Sequence, residues 1–394
     1  MRPNDLAPPS HGGEAHDVIV VGASAAGAAT AMLLARGGLD TLVIDDRSGD
    51  AHPPPTHALL RGGVLQLSRW GLLEDIVAAA TPAVKRTTLR YANEVTVITL
   101  RPSNGVDALY APRAKVIEPL LLHAAEKAGA EVRQDLSVVD LVTKRNRVGG
   151  VRATVSGGGV TELEATLVIG ADGLDSTIAR CAGAGDTRLG RHVGAMTYGY
   201  WSDLPVDGFE WVFEPDACSG FIPTNDDEVF VFASASPNRI GDGGIRVIRD
   251  IVHEGAPALA ARLQDATEPL ETRVWHGHRG FIRRSQGPGW ALVGEAGYFQ
   301  DPVSVHGLTD ALRDAELLAH AVLDAHGDAA SVDAALEQYE STRDRLSIPC
   351  FDVVDRIASH QWDGAEMANL QVQLSSTMTN EVEMLAALEP ESVA

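Results

Sequence analysis

The first strongly patterned stretch of the chain is apolar and then rich in small residues. Residues 18–21 form a short aliphatic run, which is typical of a buried β-strand. A turn of small residues follows from Gly22 to Gly27, and an apolar face of Ala, Met and Leu continues at helical spacing to Ala35. The pattern predicts a strand, a tight turn and a helix N-terminus, which together can bind a pyrophosphate.

The turn contains the residue types that phosphate binding needs. Gly22 permits the tight turn, Gly27 permits close packing of helix on strand, and Ser24 replaces the usual middle glycine. A second strand, 41–44, ends at Asp45, at a distance that suits a carboxylate hydrogen-bonded to a ribose. We therefore predict a site for the ADP half of a dinucleotide, with a nucleotide-free strand and helix as the alternative. Further candidate contacts are Ala26, Asp46 and Arg47.

Two later stretches repeat the order of apolar strand and then acid beside glycine. Residues 168–180 contain Asp172 and Gly173, and residues 290–297 contain Gly294 and Glu295. Together with the N-terminal turn, these motifs resemble the flavin-dependent monooxygenases of the p-hydroxybenzoate hydroxylase type. The resemblance extends from about residue 16 to about residue 325.

The remaining pattern predicts a second sheet and a helical end. Residues 87–100 are rich in β-branched residues, residues 192–283 carry strand-like runs, and apolar residues after 331 recur at helical spacing. We predict an α/β fold in which a Rossmann-like, three-layer ββα domain for FAD interleaves with a mainly antiparallel β-sheet substrate domain, followed by C-terminal helices. The predicted bounds are 16–86, 101–185 and 284–330 for the FAD-binding domain, 87–100 and 186–283 for the sheet domain, and 331–394 for the helices.

Composition restricts the partners and the compartment. The net charge of −22 would repel phosphate, so we expect neither nucleic acid nor a membrane as a partner. The three cysteines lie too far apart for a Cys-x-x-Cys motif, so we predict no metal site and a reducing, cytoplasmic environment. Residues 18–35 are uncharged over the length of a membrane span, but the embedded glycine turn and the missing basic flank favour the nucleotide site.

The resemblance places further residues near the flavin. In that family the segment after the second strand passes beside the flavin, which implies that His57 and Arg61 lie near the pyrophosphate or the ring edge. A solvated charge at a helix start is the equal alternative for Arg61. Where the family has a flavin-contacting arginine, strict alignment gives Ala114, so Arg113 is the candidate for that role.

The resemblance also implies roles for the middle motif. Val138 is implied to touch the adenine through its backbone, and Asp172 to hydrogen-bond the ribityl or pyrophosphate region beside Gly173. A helix N-cap is the alternative for Asp172.

The last motif is implied to bind the flavin ring. Glu295 stands where the family has an aspartate for a ribityl hydroxyl, and Val305 and Thr309 replace an expected glycine and asparagine. The backbone after Pro302 is implied to face the flavin pyrimidine at a helix N-terminus, whose dipole stabilises negative charge on the reduced ring. The residues implied at that helix start are Gly307, Leu308 and Thr309.

The activity implied by the resemblance is hydroxylation of an apolar, aromatic small molecule. NAD(P)H reduces FAD in that family, and O2 then forms a flavin C4a-hydroperoxide. His57 and His306 are the titratable groups brought nearest the ring, so they are candidates for proton transfer, with structural roles as the alternative. Aromatic residues of the second sheet are candidate substrate contacts, with ordinary core packing as the alternative: Tyr198, Trp201, Trp211, Phe213 and Phe221.

Other activities on this scaffold stay open. A halogenase is disfavoured because the Trp-x-Trp-x-Ile-Pro motif of that group is missing, and a prenyl-chain reductase or a non-redox binding protein are further alternatives. Gly183 and Gly185 do not follow an apolar strand, so we find no second glycine fingerprint and expect NAD(P)H to dock transiently. The C-terminal tail could close the substrate site or form a homodimer contact.

Overall fold

The computed structural model describes residues 14–46, 58–91, 94–155, 158–325 and 329–388. Numbered in chain order, the strands are β1 (Ala15–Val21), β2 (Thr41–Ile44), β3 (Arg86–Tyr91), β4 (Glu94–Thr99), β5 (Glu131–Arg133), β6 (Leu136–Lys144), β7 (Arg147–Val155), β8 (Val160–Gly170), β9 (Asp186–Leu189), β10 (Ala195–Ser202), β11 (Phe209–Glu214), β12 (Ala217–Pro223), β13 (Glu228–Ala235), β14 (Arg273–Trp275), β15 (Phe281–Arg283), β16 (Gln286–Gly287), β17 (Trp290–Leu292) and β18 (Tyr298–Phe299). The helices are α1 (Ala25–Arg36), α2 (Arg61–Arg69), α3 (Leu73–Ala78), α4 (Ala114–Ala128), α5 (Thr177–Ala182), α6 (Pro237–Ile240), α7 (Ile245–Gly255), α8 (Pro257–Asp265), α9 (Gly307–Asp324), α10 (Ala329–Ile357) and α11 (Gly364–Ala387).

The first sheet has a parallel centre. Strands β17, β8, β1, β2 and β5 lie side by side in that order and run parallel, with β1 between β2 and β8. Helices α1, α4 and α9 cover one face, and the antiparallel strands β6 and β7, joined to β8, cover the other. Because both faces are covered, the central strands are almost entirely apolar. Helix, sheet and β-layer form the predicted three-layer arrangement.

The second sheet is mainly antiparallel and has seven strands in the order β14, β10, β13, β12, β11, β3 and β4. The pairing of β11 with β3 is parallel, and strands of the first sheet lie between these two in the chain. Helices α7 and α8 pack on one face, while α10 and α11 pack against the other. The mixed α/β fold class is confirmed; the residue bounds given above for the domains stay a prediction.

The C-terminal region is helical, as predicted, and its first part is one long helix. The 29-residue helix α10 continues through Pro349, where the missing N–H removes one helical hydrogen bond without ending the helix. Helix α11 then packs against α10 and α2. Among the described helices, none has the length and apolarity that crossing a bilayer requires.

Candidate functional site

A cleft of about 400 Å³ opens at the carboxyl ends of β1, β2 and β8. The carboxyl edge of parallel strands is where open α/β sheets bind ligands. Residues from the first two motifs, which are about 150 positions apart in the sequence, meet there. The predicted cofactor residues that line this cleft are Gly22, Ser24, Asp45, Asp46, Val138, Asp172 and Gly173.

The glycine turn is shaped by close backbone contacts. Gly22 has φ +104°, and a Cβ atom there would lie 2.3 Å from the carbonyl oxygen of Ala171. A Cβ at Gly27 would lie 1.9 Å from the carbonyl oxygen of Gly22, so neither position accepts a side chain. Ser24 is the N-cap of α1, its side chain makes no capping bond, and the first turn has no acidic residue. The N-terminal amides of α1 and the helix dipole are therefore suited to an anion.

Two acids follow β2 at the edge of the cleft. Asp45 is buried, and its Oδ2 accepts a hydrogen bond of 2.9 Å from the backbone N–H of Ala23, which ties the end of β2 to the glycine turn. Asp46 is exposed and accepts a hydrogen bond of 3.1 Å from the hydroxyl of Ser137. These contacts hold both carboxylates beside the turn, where the ribose contact is predicted.

Asp172 lines the cleft and also binds the start of α5. Its carboxylate accepts hydrogen bonds from the hydroxyl of Ser176 and, at 3.1 Å, from the backbone N–H of Ile178, so it caps α5. Burial raises the pKa of this carboxyl, although the hydrogen bonds oppose the shift. Because the same side chain lines the cleft, capping fixes its orientation toward the predicted cofactor.

The third motif closes on the first. Gly294 has φ +57°, and a Cβ there would lie 2.8 Å from the Cβ of Ala26 on α1. The backbone N–H of Val293 donates to the carbonyl of Gly170 at 3.0 Å, which joins this segment to β8. Glu295 is exposed to solvent, yet the surrounding protein reduces its hydration and raises the pKa of its carboxyl. All three motifs therefore converge on the N-terminus of α1.

The segment before α9 has an unusual backbone. Residues Pro302–Ser304 form one 3₁₀ turn, which buried Asp301 caps by accepting 3.0 Å hydrogen bonds from the N–H groups of Val303 and Gly194. Val305 then has φ +50°, in the left-handed region that β-branched residues rarely adopt. This is the position where the related family has glycine, so the valine carries strain at the predicted flavin contact.

Helix α9 begins with one exposed residue and then enters the core. Gly307 is exposed, whereas Leu308 and Thr309 are buried. The hydroxyl of Thr309 accepts a hydrogen bond of 3.3 Å from the backbone N–H of Leu60, just before α2. The side chain of Thr309 is thus held by the helix pair, which leaves the backbone of this first turn for the predicted contact.

His306 belongs to a buried ionic cluster, which we define as His306, Asp310, Arg313, Asp314 and Glu381. Nε2 of His306 lies 3.0 Å from Oε1 of Glu381, on the distant helix α11. Arg313 donates to Asp310 at 2.6 Å, to Glu381 at 2.7 Å and to Asp314 at 2.7 Å. Every member is at most 4% exposed, so these charges depend on one another for stabilisation.

Protonation in the ionic cluster follows from its mutual contacts. Burial alone would lower the pKa of His306, but the negative charges of Glu381 and Asp310 outweigh burial and raise it. Burial would raise the pKa of Glu381, but His306 and Arg313 lower it to about 2. Burial raises the pKa of Asp310 to about 6 despite Arg313 and His306. Because the imidazole is buried and bound to Glu381, the structure argues against His306 as a proton donor to substrate.

Two predicted cationic contacts lie elsewhere. Arg61 donates to the carbonyl oxygens of Arg101 at 2.9 Å and Ser103 at 3.4 Å, so it fixes the 101–106 turn instead of lining the cleft. Arg113 forms an ion pair with Glu228, and its guanidinium lies 3.9 Å from the ring centre of Tyr200. Both placements argue against the flavin contacts predicted for these arginines. Arg47 and His57 lie outside the described residues.

The aromatic candidates divide between the two faces of the second sheet. Trp201 and Phe221 pack under α7 and α8, on the face turned away from the flavin motifs, which argues against the substrate contacts predicted for them. Strand geometry accounts for this placement, since Phe221 pairs with Glu210 and therefore shares its face rather than that of Trp211. On the other face lie three of the predicted contacts, Tyr198, Trp211 and Phe213, which pack in one cluster with Val303 of the segment before α9. We call these four residues the aromatic cluster.

His360 is a buried histidine for which the sequence predicts no role. Its Nε2 lies 3.3 Å from the hydroxyl of Ser234, and its backbone has φ +49° in the link between α10 and α11. Burial lowers the pKa of His360 to about 4, so the ring is neutral at pH 7. The sequence does not indicate a positive φ at a histidine. For the ionic cluster a signal did exist, because charged residues are spaced along α9.

The family follows from the sequence as a whole. The chain belongs to the FAD binding domain family, whose pattern it matches over residues 15–350. This places it among the FAD-dependent oxidoreductases, and the prediction of FAD as cofactor is confirmed.

Individual relatives differ in how much of the chain they share. The probable electron transfer flavoprotein-quinone oxidoreductase YdiS of Escherichia coli (strain K12) is 33% identical over 177 residues, which cover 42% of this chain and 38% of that protein. A digeranylgeranylglycerophospholipid reductase of Methanothrix thermoacetophila is 25% identical over 318 residues, or 78% of each chain.

Solved structures extend the likeness to nearly the whole fold. The flavin-dependent brominase Bmp2 has a TM-score of 0.79 at 16% identity, over 94% of this chain and 93% of that one. P. aeruginosa PqsL in complex with 2-aminobenzoylacetate has a TM-score of 0.76 at 18% identity, over 93% and 100%. At such identities the likeness shows the fold alone.

Proposed function

We propose that the protein is an FAD-dependent monooxygenase that hydroxylates an apolar, aromatic small molecule with NAD(P)H and O2. The observation that carries the proposal is the aromatic cluster, because it contains both sheet aromatics and Val303 of the segment predicted to border the flavin. Planar rings such as Tyr198 and Trp211 favour a planar, apolar substrate over a charged one. The PqsL complex contains an aromatic ligand on the same fold.

The residues of the cleft fit the ADP half of FAD. The glycine turn and the amides of α1 would hold the pyrophosphate, Asp45 would hold the ribose, and the first turn of α9 would face the pyrimidine. When bound, FAD supplies the redox chemistry, taking electrons from NAD(P)H and delivering them to O2. The protein positions the substrate against the aromatic cluster and excludes water from that apolar face.

A prenyl-chain reductase is the second candidate. The observation in its favour is that the digeranylgeranylglycerophospholipid reductase aligns with this chain over 78% of the length of each protein, at 25% identity. A halogenase ranks lower despite the likeness to Bmp2, because the Trp-x-Trp-x-Ile-Pro motif is absent from the sequence.

Oxygen consumption separates these activities. Purified flavin-loaded protein is mixed with NADH or NADPH and a panel of aromatic compounds, including 2-aminobenzoylacetate, while O2 and products are followed. A monooxygenase consumes O2 and releases hydroxylated product only with its substrate. Substrate-dependent oxidation of NAD(P)H that continues without O2 would instead support the reductase, and a colourless protein that binds no added FAD would overturn both.

A pair of variants tests the substrate face. Trp211→Leu removes an indole from the aromatic cluster, and Trp201→Leu removes one from the opposite face of the same sheet. We expect KM for the substrate to rise about tenfold or more in the first variant only. Equal KM values in both variants would contradict the assigned substrate face.

A further inference from the structure

The three helices that meet around the ionic cluster are packed unusually closely. A Cβ on Gly62 of α2 would lie 3.1 Å from Cγ2 of Thr309 and 3.2 Å from Oε1 of Glu381. The absence of a side chain at Gly62 therefore lets the C-terminal helix α11 bring its carboxylate against the start of α9.

A protonated His306 at this position would by itself destabilise helix α9. His306 is the residue that immediately precedes α9, and a cation at a helix N-terminus adds to the partial positive charge of the exposed amides. Glu381 offsets this repulsion by its 3.0 Å contact with the imidazole. Nδ1 of His306 is also buried and has no hydrogen-bond partner among the described residues.

We propose that Glu381 is a positioning residue for the flavin: it holds His306 as an imidazolium at the N-terminus of α9, so that this helix end stabilises the anionic reduced ring. The proposal rests on the proposed function, because it places the pyrimidine of FAD at the first turn of α9. It assigns His306 an electrostatic role in place of the proton transfer first considered. Neither residue touches the reacting atoms through this contact.

The charged groups around His306 come from two helices. Asp310 and Arg313 face it from α9, and Glu381 faces it from α11. Ser347 of α10 contacts Arg313 and carries no charge. Removing the charge of Glu381 leaves burial and Arg313, which lower the pKa of His306, opposed by Asp310 alone, so we expect this pKa to fall.

The test compares flavin midpoint potentials in Glu381→Gln and His306→Gln, measured against a reference dye at equilibrium. We expect the reduced flavin to be disfavoured about tenfold in each variant, which is about 30 mV for a two-electron couple. Glu383→Gln, an exposed acid on the same helix, is the matched control and should leave the potential unchanged.

Two further readouts exclude a merely structural effect. The double variant should show the same potential as either single variant, because the two residues act as one unit. The difference from wild type should shrink as the pH rises above the pKa of His306, where the wild-type imidazole also becomes neutral. If Glu381→Gln does not fold, a wild-type potential in His306→Gln still overturns the proposal.

The proposal and the proposed function can fail separately. Folded, flavin-loaded variants with wild-type potentials, or additive shifts in the double variant, would overturn the role of Glu381 and leave the monooxygenase proposal intact. A wild-type protein that retains no FAD would overturn the proposed function first.

Discussion

The two ends of the predicted flavin site are constructed in opposite ways. The cleft for the ADP half is made of backbone, with Gly22 and Gly27 so tightly packed that a Cβ on either would clash. The start of α9 is instead surrounded by charged side chains, with His306 and Arg313 held by Glu381 from the far end of the chain. The end that holds the ADP half depends on glycines that lack side chains, and the end at α9 depends on charged side chains that stabilise one another.

This difference has consequences for substitution. A backbone-built turn fails when any atom is added, and the glycine turn from Gly22 to Gly27 contains no ionisable side chain of its own. A site built from buried charges tolerates no loss of a partner, because each removal leaves an uncompensated charge in the core. The following variants test that contrast at both ends, beginning with the largest expected effect.

Gly27→Val should abolish FAD retention. The added side chain meets the carbonyl of Gly22 and forces the turn apart, so the pyrophosphate site is lost. The measurement is the flavin absorbance of the purified protein after incubation with added FAD. Gly185→Val, at an exposed glycine with open space around it, is the matched control and should retain FAD. A yellow Gly27→Val protein would contradict the location of the ADP site.

Arg313→Met should destabilise the protein by about 3–5 kcal/mol, because Asp310, Asp314 and Glu381 lose their shared cation. Urea unfolding at pH 7 measures the change in the free energy of unfolding. Arg345→Met, an exposed arginine on α10, should change it by less than about 0.5 kcal/mol. Equal effects of the two variants would show that the ionic cluster contributes nothing special to the fold.

His360 gives a pH test of a neutral buried group. Its folded-state pKa of about 4 lies below the ordinary value of 6.5, so the unfolded chain binds the proton first as the pH falls. Wild-type stability should therefore drop between pH 6.5 and pH 4, by up to roughly 3 kcal/mol from this group. In His360→Asn this part of the slope should vanish, since asparagine tolerates the left-handed backbone and does not titrate.

The control for this pH profile is His123→Asn, at an exposed histidine. It should follow the wild-type curve across the same range. An unchanged slope in His360→Asn would mean that His360 is already protonated in the folded protein at pH 6.

The smallest expected effect is a gain in stability. Val305→Gly removes the strain of a β-branched residue at φ +50° and should raise the free energy of unfolding by about 1 kcal/mol. Thermal melting measures the gain, and Val305→Ala should give less than glycine does. A lower melting temperature would show that the contact of Val305 with the aromatic cluster outweighs the backbone strain.

Local patterns explain what could be predicted from the sequence. The glycine turn and Asp45 lie within 24 positions of each other, so one short segment contains the whole motif. Long apolar runs in the parallel strands and β-branched runs in the second sheet likewise identified the two kinds of sheet. Each of these signals depends on the residue types of neighbouring positions.

Long-range pairing explains what could not be predicted. Glu381 lies 75 positions from His306 and 68 from Arg313, and no local pattern relates them. Arg113 was expected at the flavin, but Glu228 and Tyr200 of the second sheet bind it instead. The face of the sheet on which Trp201 and Phe221 lie depends on strand register. The spacing of residues within one strand does not determine the register of the neighbouring strand.

The parallel pairing of β3 with β11 also affects how the protein can be divided. A fragment limited to residues 186–283 would contain β11 and β12 but not β3, so the backbone N–H and C=O groups of β11 that face β3 would lie open along a hydrophobic edge. Such an edge invites pairing between copies, and the fragment would precipitate rather than fold alone. Any shortened version intended for expression must therefore retain the hairpin at residues 86–99, although more than 100 residues separate it from its neighbour.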